Sequence, residues 1–375
     1  SSVVYFQLGR NAQYHSLLNQ AESAAQQADA AADLSTQRLQ YQAALQYLQQ
    51  AVKIGDTPEA SNLLLRVQQS LDQIDNIRRA EYRRALLEPL PDDVVISRLL
   101  IEDSFLYMLD QTSGAVLRAV STGDGYLLDR TFQCGPQFPG GFGAGPLVDI
   151  TLVAEGDPDV VLLGIDAGGR VMRCYLSKPP EVETLAVPAQ MQSSGLRGIT
   201  EADGVFYVLD PPNSEVWFYW NGNFGDVQQF FVGVAPPAEM ATMVDLAVER
   251  FNLYLLNQSG AVTLCSLSTL DVAPTRCSEN LGFTDGRSGA EGMPISFEQP
   301  FTQVMVSPPP DPSLFLLQAE TQGIFQFSLN NLVYQRQYMP FLPLGEGGAT
   351  AFYVDRLHQQ LYLAVGGEVY FTTMP

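Results

Sequence analysis

The chain has 375 residues, of which 46% are apolar and 16% charged, so it can bury a large core and is not a disordered polymer. Its formal charge is −21, unevenly spread: residues 1–90 hold eight Lys or Arg against nine Asp or Glu, which leaves −20 for the rest. Such a surface repels phosphate, which excludes DNA, RNA and anionic lipid surfaces as partners of the C-terminal part. It favours solubility and suits cations or basic ligands.

The opening SSVVYFQLGR is short, apolar and ends in Arg. It reads as a helix start or as the tail of a membrane tether or signal lying upstream of Ser1; no apolar run approaches the ~20 residues of a membrane span. Residues 11–85 hold one glycine, Gly55, and one proline, Pro58, and are rich in Ala, Gln and Leu, a helix composition. Tyr14, Leu17, Leu18, Ala21, Ala24, Ala25, Ala28, Ala31 and Ala32 recur at spacings of three and four and draw one small-residue stripe on a long first helix. A second helix carries Tyr41, Ala44, Leu45, Leu48, Ala51 and Val52; a third carries Leu63, Leu64, Val67, Leu71, Ile74 and Ile77. Between them Gly55 ends one helix, and Asp56 or Thr57 caps the next ahead of Pro58. The stretch YQAALQYLQQAVKIGDTPEA resembles the second helix and exit turn of a tetratricopeptide repeat, over about one repeat. A helical hairpin or coiled coil accounts for it equally well, and one such unit must pack on the third helix, the propeller or a second copy of the chain. The Ala stripe suits close pairing with a second copy, so a homodimer through the helices is expected.

LEPLPDD at 87–93 punctuates the chain, and the expected domains are a helical stalk over 1–86 and a sheet domain over 87–375. In the second part an apolar strand, a tight Asp/Asn/Gly turn and a second strand recur six times, as in SFLYMLDQTSGAVLRAVS, GVFYVLDPPNSEVWFYW and NLYLLNQSGAVTLCSLS. A further strand precedes each hairpin, and in five units a fourth follows. The turn positions Asp110, Asp166, Asp210, Asn257 and Gln318 are 56, 44, 47 and 61 residues apart. Four-stranded units at this period are propeller blades, so the fold class is mostly β: a six-bladed β-propeller behind about three helices. The chain stops before a sixth outer strand, and RRALLEP, ahead of the first blade, is positioned to supply it. The blade motif resembles NHL-type six-bladed propellers over roughly 90–375. With its helical segment the chain is also similar to extracytoplasmic sensor parts of bacterial membrane-anchored kinases and phosphatases. That resemblance implies a non-catalytic ligand- or protein-binding module, membrane-anchored and outside the cytoplasm. The alternative is a channel-site enzyme of the lactonase or lyase type using a divalent metal.

Aligning the blades by their hairpins puts Arg98, Asp149, Gly198, Asp245, Gln303 and Ala351 at equivalent places at the channel mouth. Arg98, Asp149, Asp245 and Gln303 are thus candidate ligand-binding residues. Two carboxylates and an amide suit Ca²⁺ if any metal binds, and otherwise Arg98 neutralises the acids; no cofactor is expected. The turn acids cap their own backbones. The long inter-blade loops at 134–146 and 281–300, with two shorter ones, carry Phe138, Phe142, Met240, Arg287, Met293, Phe297 and Phe341, a candidate surface for a protein, peptide or glycan. Packing on the blades beneath is the competing role. Of four cysteines, Cys265 and Cys277 flank a turn-like stretch and can form a cross-strand disulfide, which would mark an oxidising compartment, or stay as two buried thiols. No CxxC pair and only two histidines, His15 and His358, argue against a zinc cluster or a serine hydrolase.

Overall fold

The computed structural model describes all residues except Ser1, Glu155, Gln190, Gln192, Ser193, Thr269–Pro274, Glu279, Asn280 and Pro310, with the side chains of residues 2–8 also left aside. Contacts divide the chain into two units: Ser1–Arg78 with Asp285–Met293 and Gln335–Gln337, and the remainder.

In the first unit three helices span Ser2–Ala30 (α1), Leu34–Ile54 (α2) and Pro58–Ile74 (α3). Asp33 caps α2 by accepting the Thr36 N–H at 2.8 Å, and Thr57 caps α3 ahead of Pro58. The apolar spacing becomes one core, in which Tyr14, Leu17, Leu18 and Ala21 of α1 meet Tyr41, Ala44 and Leu48 of α2 and Leu63, Val67 and Leu71 of α3. Three expectations are corrected here. Ala31 and Ala32 lie beyond the end of α1, and Ile77 starts a strand because Asn76, at φ 54°, turns the chain out of α3. The Ala stripe is covered within the unit: Ala21, Ala25 and Ala28 have no exposed surface, so it is not open to a second copy. Among the described residues no helix is long and apolar enough to cross a membrane.

The second unit is a six-bladed propeller. Each blade is an antiparallel meander running outward from the channel. The innermost strands are Ile96–Glu102, Leu147–Leu152, Gly198–Ala202, Met243–Glu249, Gln303–Val306 and Ala351–Asp355. Second strands such as Val160–Asp166 and Val205–Asp210 are buried at every position, because each blade is sandwiched between two neighbours. Every junction has its own apolar cluster, including the closing one, where Ile96, Leu99 and Met108 of blade 1 meet Tyr362, Val369 and Phe371 of blade 6. The ring is closed by backbone hydrogen bonds from the segment ahead of blade 1. Arg83–Arg84 forms the fourth strand of blade 6 against Tyr370–Phe371, so these residues belong to the propeller, and the unit division falls ahead of the 86/87 boundary read from composition. The same segment goes on to blade 1: the Ala85 N–H donates to Val369 O at 2.7 Å, and the Tyr126 N–H donates to Ala85 O at 2.8 Å.

The turn residues cap their own backbones. Asp110 accepts from the N–H groups of Val95, Thr112 and Ser113, and Asp166 from Gly145, Gly168 and Arg170. At one turn, Gly114 with φ +66°, a Cβ would lie 2.3 Å from Pro146 Cα, so the loop into blade 2 crosses where only glycine fits.

Cys265 and Cys277 are opposite each other in the third and fourth strands of blade 4 and are disulfide-bonded; part of the turn joining them lies outside the described residues. A second disulfide, Cys134–Cys174, ties the loop after blade 1 to the third strand of blade 2. Two disulfides point to an oxidising environment. By loop entropy, removing Cys265–Cys277 costs about 3 kcal/mol and Cys134–Cys174 about 4 kcal/mol. Expected outcomes are that non-reducing peptide maps show both pairs, and that the Cys134→Ser/Cys174→Ser protein has the lower urea midpoint of the two double variants.

Candidate functional site

The six aligned residues occupy one rung of the channel. Arg98 pairs with Leu109, Asp149 with Ile165, Gly198 with Leu209, Asp245 with Leu256, Gln303 with Leu317 and Ala351 with Ala364, each one residue short of the hairpin turn. β-bulges at Ile96/Arg98, Leu147/Asp149 and Met243/Asp245 turn the three charged side chains toward one another.

Arg98 is the hub. Its Nε donates to Asp149 Oδ1 at 2.7 Å, while Nη2 and Nη1 donate to the two oxygens of Asp245 at 2.8 and 3.2 Å. The carboxylates then reach forward to the next blade: Asp149 Oδ2 accepts the Ile199 N–H and Asp245 Oδ2 the Val304 N–H, both at 2.8 Å. Gln303 shares the rung but bonds elsewhere, donating from Nε2 to Ser97 O at 2.7 Å and to Thr350 O at 3.0 Å. Its Oε1 is buried without a hydrogen bond. Gly198 keeps the rung open, since a Cβ there would meet Leu246 at 2.5 Å and approach Asp149. Burial works against the Arg98 charge, but Asp149 and then Asp245 outweigh it and hold the guanidinium above its ordinary value. Burial pushes the Asp149 carboxyl up, against the pull of Arg98. Below the rung lies a cavity of about 190 Å³ with mixed walls, in which Arg98, Thr151, Thr200 and Glu201 stand beside Leu100, Ile150, Leu152 and Val248. Among the described residues no three His, Cys, Asp or Glu side chains form a group able to hold a metal ion.

The loop residues separate into two sets. Phe142 and Phe341 are 72% and 59% exposed, and Leu342, which the sequence reading did not single out, is 76% exposed. Met293, in the other unit, is also exposed. Met240 is fully buried in the core between blades 3 and 4, a packing role, and Phe297 is half-buried among Phe283, Phe301 and Phe325. Phe138 is half-buried. Arg287 belongs to the helical unit, where it pairs with Asp285 at 2.6 Å and Asp75 at 2.7 Å, and it is mostly buried.

Glu215 is among the buried acids that nothing in the sequence motif marks. Glu215 is 5% exposed in blade 3 and accepts the N–H groups of Val216 at 3.0 Å and Phe231 at 3.2 Å. Burial pushes its carboxyl up to about 7, with those backbone donors pulling the other way and Asp210 adding to the rise.

No family model and no curated protein matches the chain. Solved structures do. A gluconolactonase from Xanthomonas campestris superposes with TM-score 0.50 at 14% identity over 76% of this chain and 89% of its own. A catalytically inactive virginiamycin B lyase from Staphylococcus aureus gives 0.47 at 10% identity, over 78% of this chain and 98% of its own. The WD40 propeller domain of Doa1 gives 0.45 at 12% identity, over 78% and 97%. At these identities the similarity is one of fold alone.

Truncating Arg98 strands two buried carboxylates. Arg98→Met is expected to lower stability by about 3–5 kcal/mol, and adding Asp149→Asn and Asp245→Asn to recover most of it, read by urea denaturation.

Glu215 binds its proton more tightly folded than unfolded. Its contribution is therefore complete at low pH and lost as pH rises through about 7. Between pH 4.5 and 7 it should remove about 2–3 kcal/mol of stability in the wild type and nothing in Glu215→Gln, seen as converging melting curves at pH 5 and separated ones at pH 7.5.

Proposed function

We propose that the chain is a non-catalytic binding module that acts in an oxidising compartment outside the cytoplasm, recognising a protein, peptide or glycan through the loops that join one blade to the next. The observation that carries this reading is the saturated rung. Every oxygen of Asp149 and Asp245 already accepts from Arg98 or a backbone N–H, so neither acid is poised as a base or a ligand. Phe142, Phe341 and Leu342 meanwhile present large apolar surface on connecting loops held by a rigid ring.

The competing reading is a metal-dependent lactonase or lyase. A Ca²⁺ ion at the rung would have to displace the Arg98 guanidinium from both carboxylates, and among the described residues no third acid joins them in a metal-holding group.

Two assays separate the readings. With Ca²⁺ or Zn²⁺ added, hydrolysis of δ-gluconolactone is expected to stay at the spontaneous rate; metal-dependent turnover that disappears in Asp149→Asn would sink the binding-module proposal. Phe142→Ser/Phe341→Ser/Leu342→Ser is expected to keep the wild-type melting temperature and to lose at least about tenfold in affinity for whichever envelope partner the wild type captures saturably, about 1.4 kcal/mol.

A further inference from the structure

Resting on the binding-module reading, we propose that the insertion between blades 4 and 5 forms a pocket for a small organic cation: an aromatic or branched aliphatic body bearing an ammonium or guanidinium group. The long 61-residue step from Asn257 to Gln318 is where the chain spends extra residues, and they fold back over the third strand of blade 4. Between that strand, at Val262 and Thr263, and the insertion lies a cavity of about 330 Å³. That volume is within the range of ligand pockets and far above a packing defect.

The walls are aromatic and firmly backed. Leu281, Phe283, Ile295 and Phe297 line the cavity half-buried. Behind them the rings of Phe301, Phe325 and Phe327 interlock, with Phe283 to Phe327 at 4.7 Å and Phe297 to Phe325 at 5.0 Å between centroids. The backbone fixes the insertion: the Ile295 N–H donates to Phe283 O at 2.9 Å, the Thr284 N–H to Leu332 O at 3.2 Å, and Gln318 Nε2 to Gln299 O at 2.8 Å. At Gly260, φ +85°, a Cβ would lie 2.6 Å from Phe301 N, so the two walls meet where only glycine allows it. A pocket so held is formed before any ligand arrives, which lowers the ordering cost of binding.

Charge selects the ligand. Glu239 is exposed and accepts from Asn257 Nδ2, and among the described residues no Lys or Arg lines the cavity. Ring faces carry negative potential and attract cations, and a chain with −20 beyond residue 90 focuses positive ligands toward such a cleft. An anion meets the Glu239 carboxylate and the ring faces with no cation in the lining to offset them, and a neutral body gains its apolar burial and hydrogen bonds to the hydroxyls of Ser259, Thr263 and Ser296.

The test titrates benzyltrimethylammonium, benzyl alcohol and phenylacetate into the full chain at low ionic strength, followed by the methyl NMR signals of Val262, Leu281 and Ile295. The expected result is saturable shifts with the cation binding at least about tenfold tighter than the anion. Glu239→Gln, a surface change, is expected to narrow the gap between cation and alcohol about threefold or more. Thr263→Trp fills the cavity without deleting a core ring and is expected to abolish the shifts. A basic hexapeptide containing Phe and Arg that binds more tightly than the small cation would overturn the assignment to a free small molecule. So would equal affinity for all three probes, absence of saturable shifts, or binding that survives Thr263→Trp. Partner capture lost in the loop triple variant with no probe binding removes the pocket and leaves the binding module; probe binding with capture unchanged does the reverse.

Discussion

A ring of sheets is stable only if its last blade has a fourth strand, and here that strand comes from the far end of the domain. Arg83–Arg84 pairs with the final strand, and Ala85 bonds to both the last blade and the first. The pairing covers the outer edge of the final strand, and Ala85 joins the apolar cluster between blades 6 and 1. The other five junctions are formed by neighbours in sequence. The closing one alone joins distant chain, so the radial geometry, the channel and the placing of every loop depend on it.

The channel rung repeats this logic with polar groups. Arg98 ties blade 1 to blades 2 and 4, and its two acids pass the connection to blades 3 and 5 through backbone N–H groups. Gln303 completes the circuit to blades 6 and 1. A buried network of this kind contributes little net energy over an apolar plug, but it penalises any sliding of one inner strand past another, since every slip strands a charge. The rung therefore fixes register where the strands are closest together.

Much of the fold was legible because repetition is a strong signal. Six hairpins with the same turn chemistry indicated six blades, and counting from those turns brought Arg98, Asp149 and Asp245 to one level. The details that were not legible depend on distance in three dimensions. Met240 and Phe142 sit in loops of the same Gly- and Pro-rich character, yet one is wholly buried and the other largely exposed, and no local pattern separates them. Cys265 and Cys277 are twelve residues apart, a separation a hairpin can close, whereas Cys134 and Cys174 are forty apart and meet only because blade 1 packs on blade 2. The Ala stripe showed that something packs closely on α1 without showing that its partner is the chain's own second and third helices.

The closing strand also sets a schedule for synthesis. Arg83 and Phe371, which pair in the finished ring, are separated by roughly 290 residues. At translation speeds of about 5–20 residues per second, the early strand waits on the order of 15–60 s for its partner to be made. Throughout that interval the nascent domain is an open arc with an unpaired edge at each end, and the blade that completes it is the last to emerge. The period of greatest aggregation risk thus lasts until the final strand, Glu368–Thr373, has been made, and a chaperone that keeps the arc apart from its copies for that interval would favour yield.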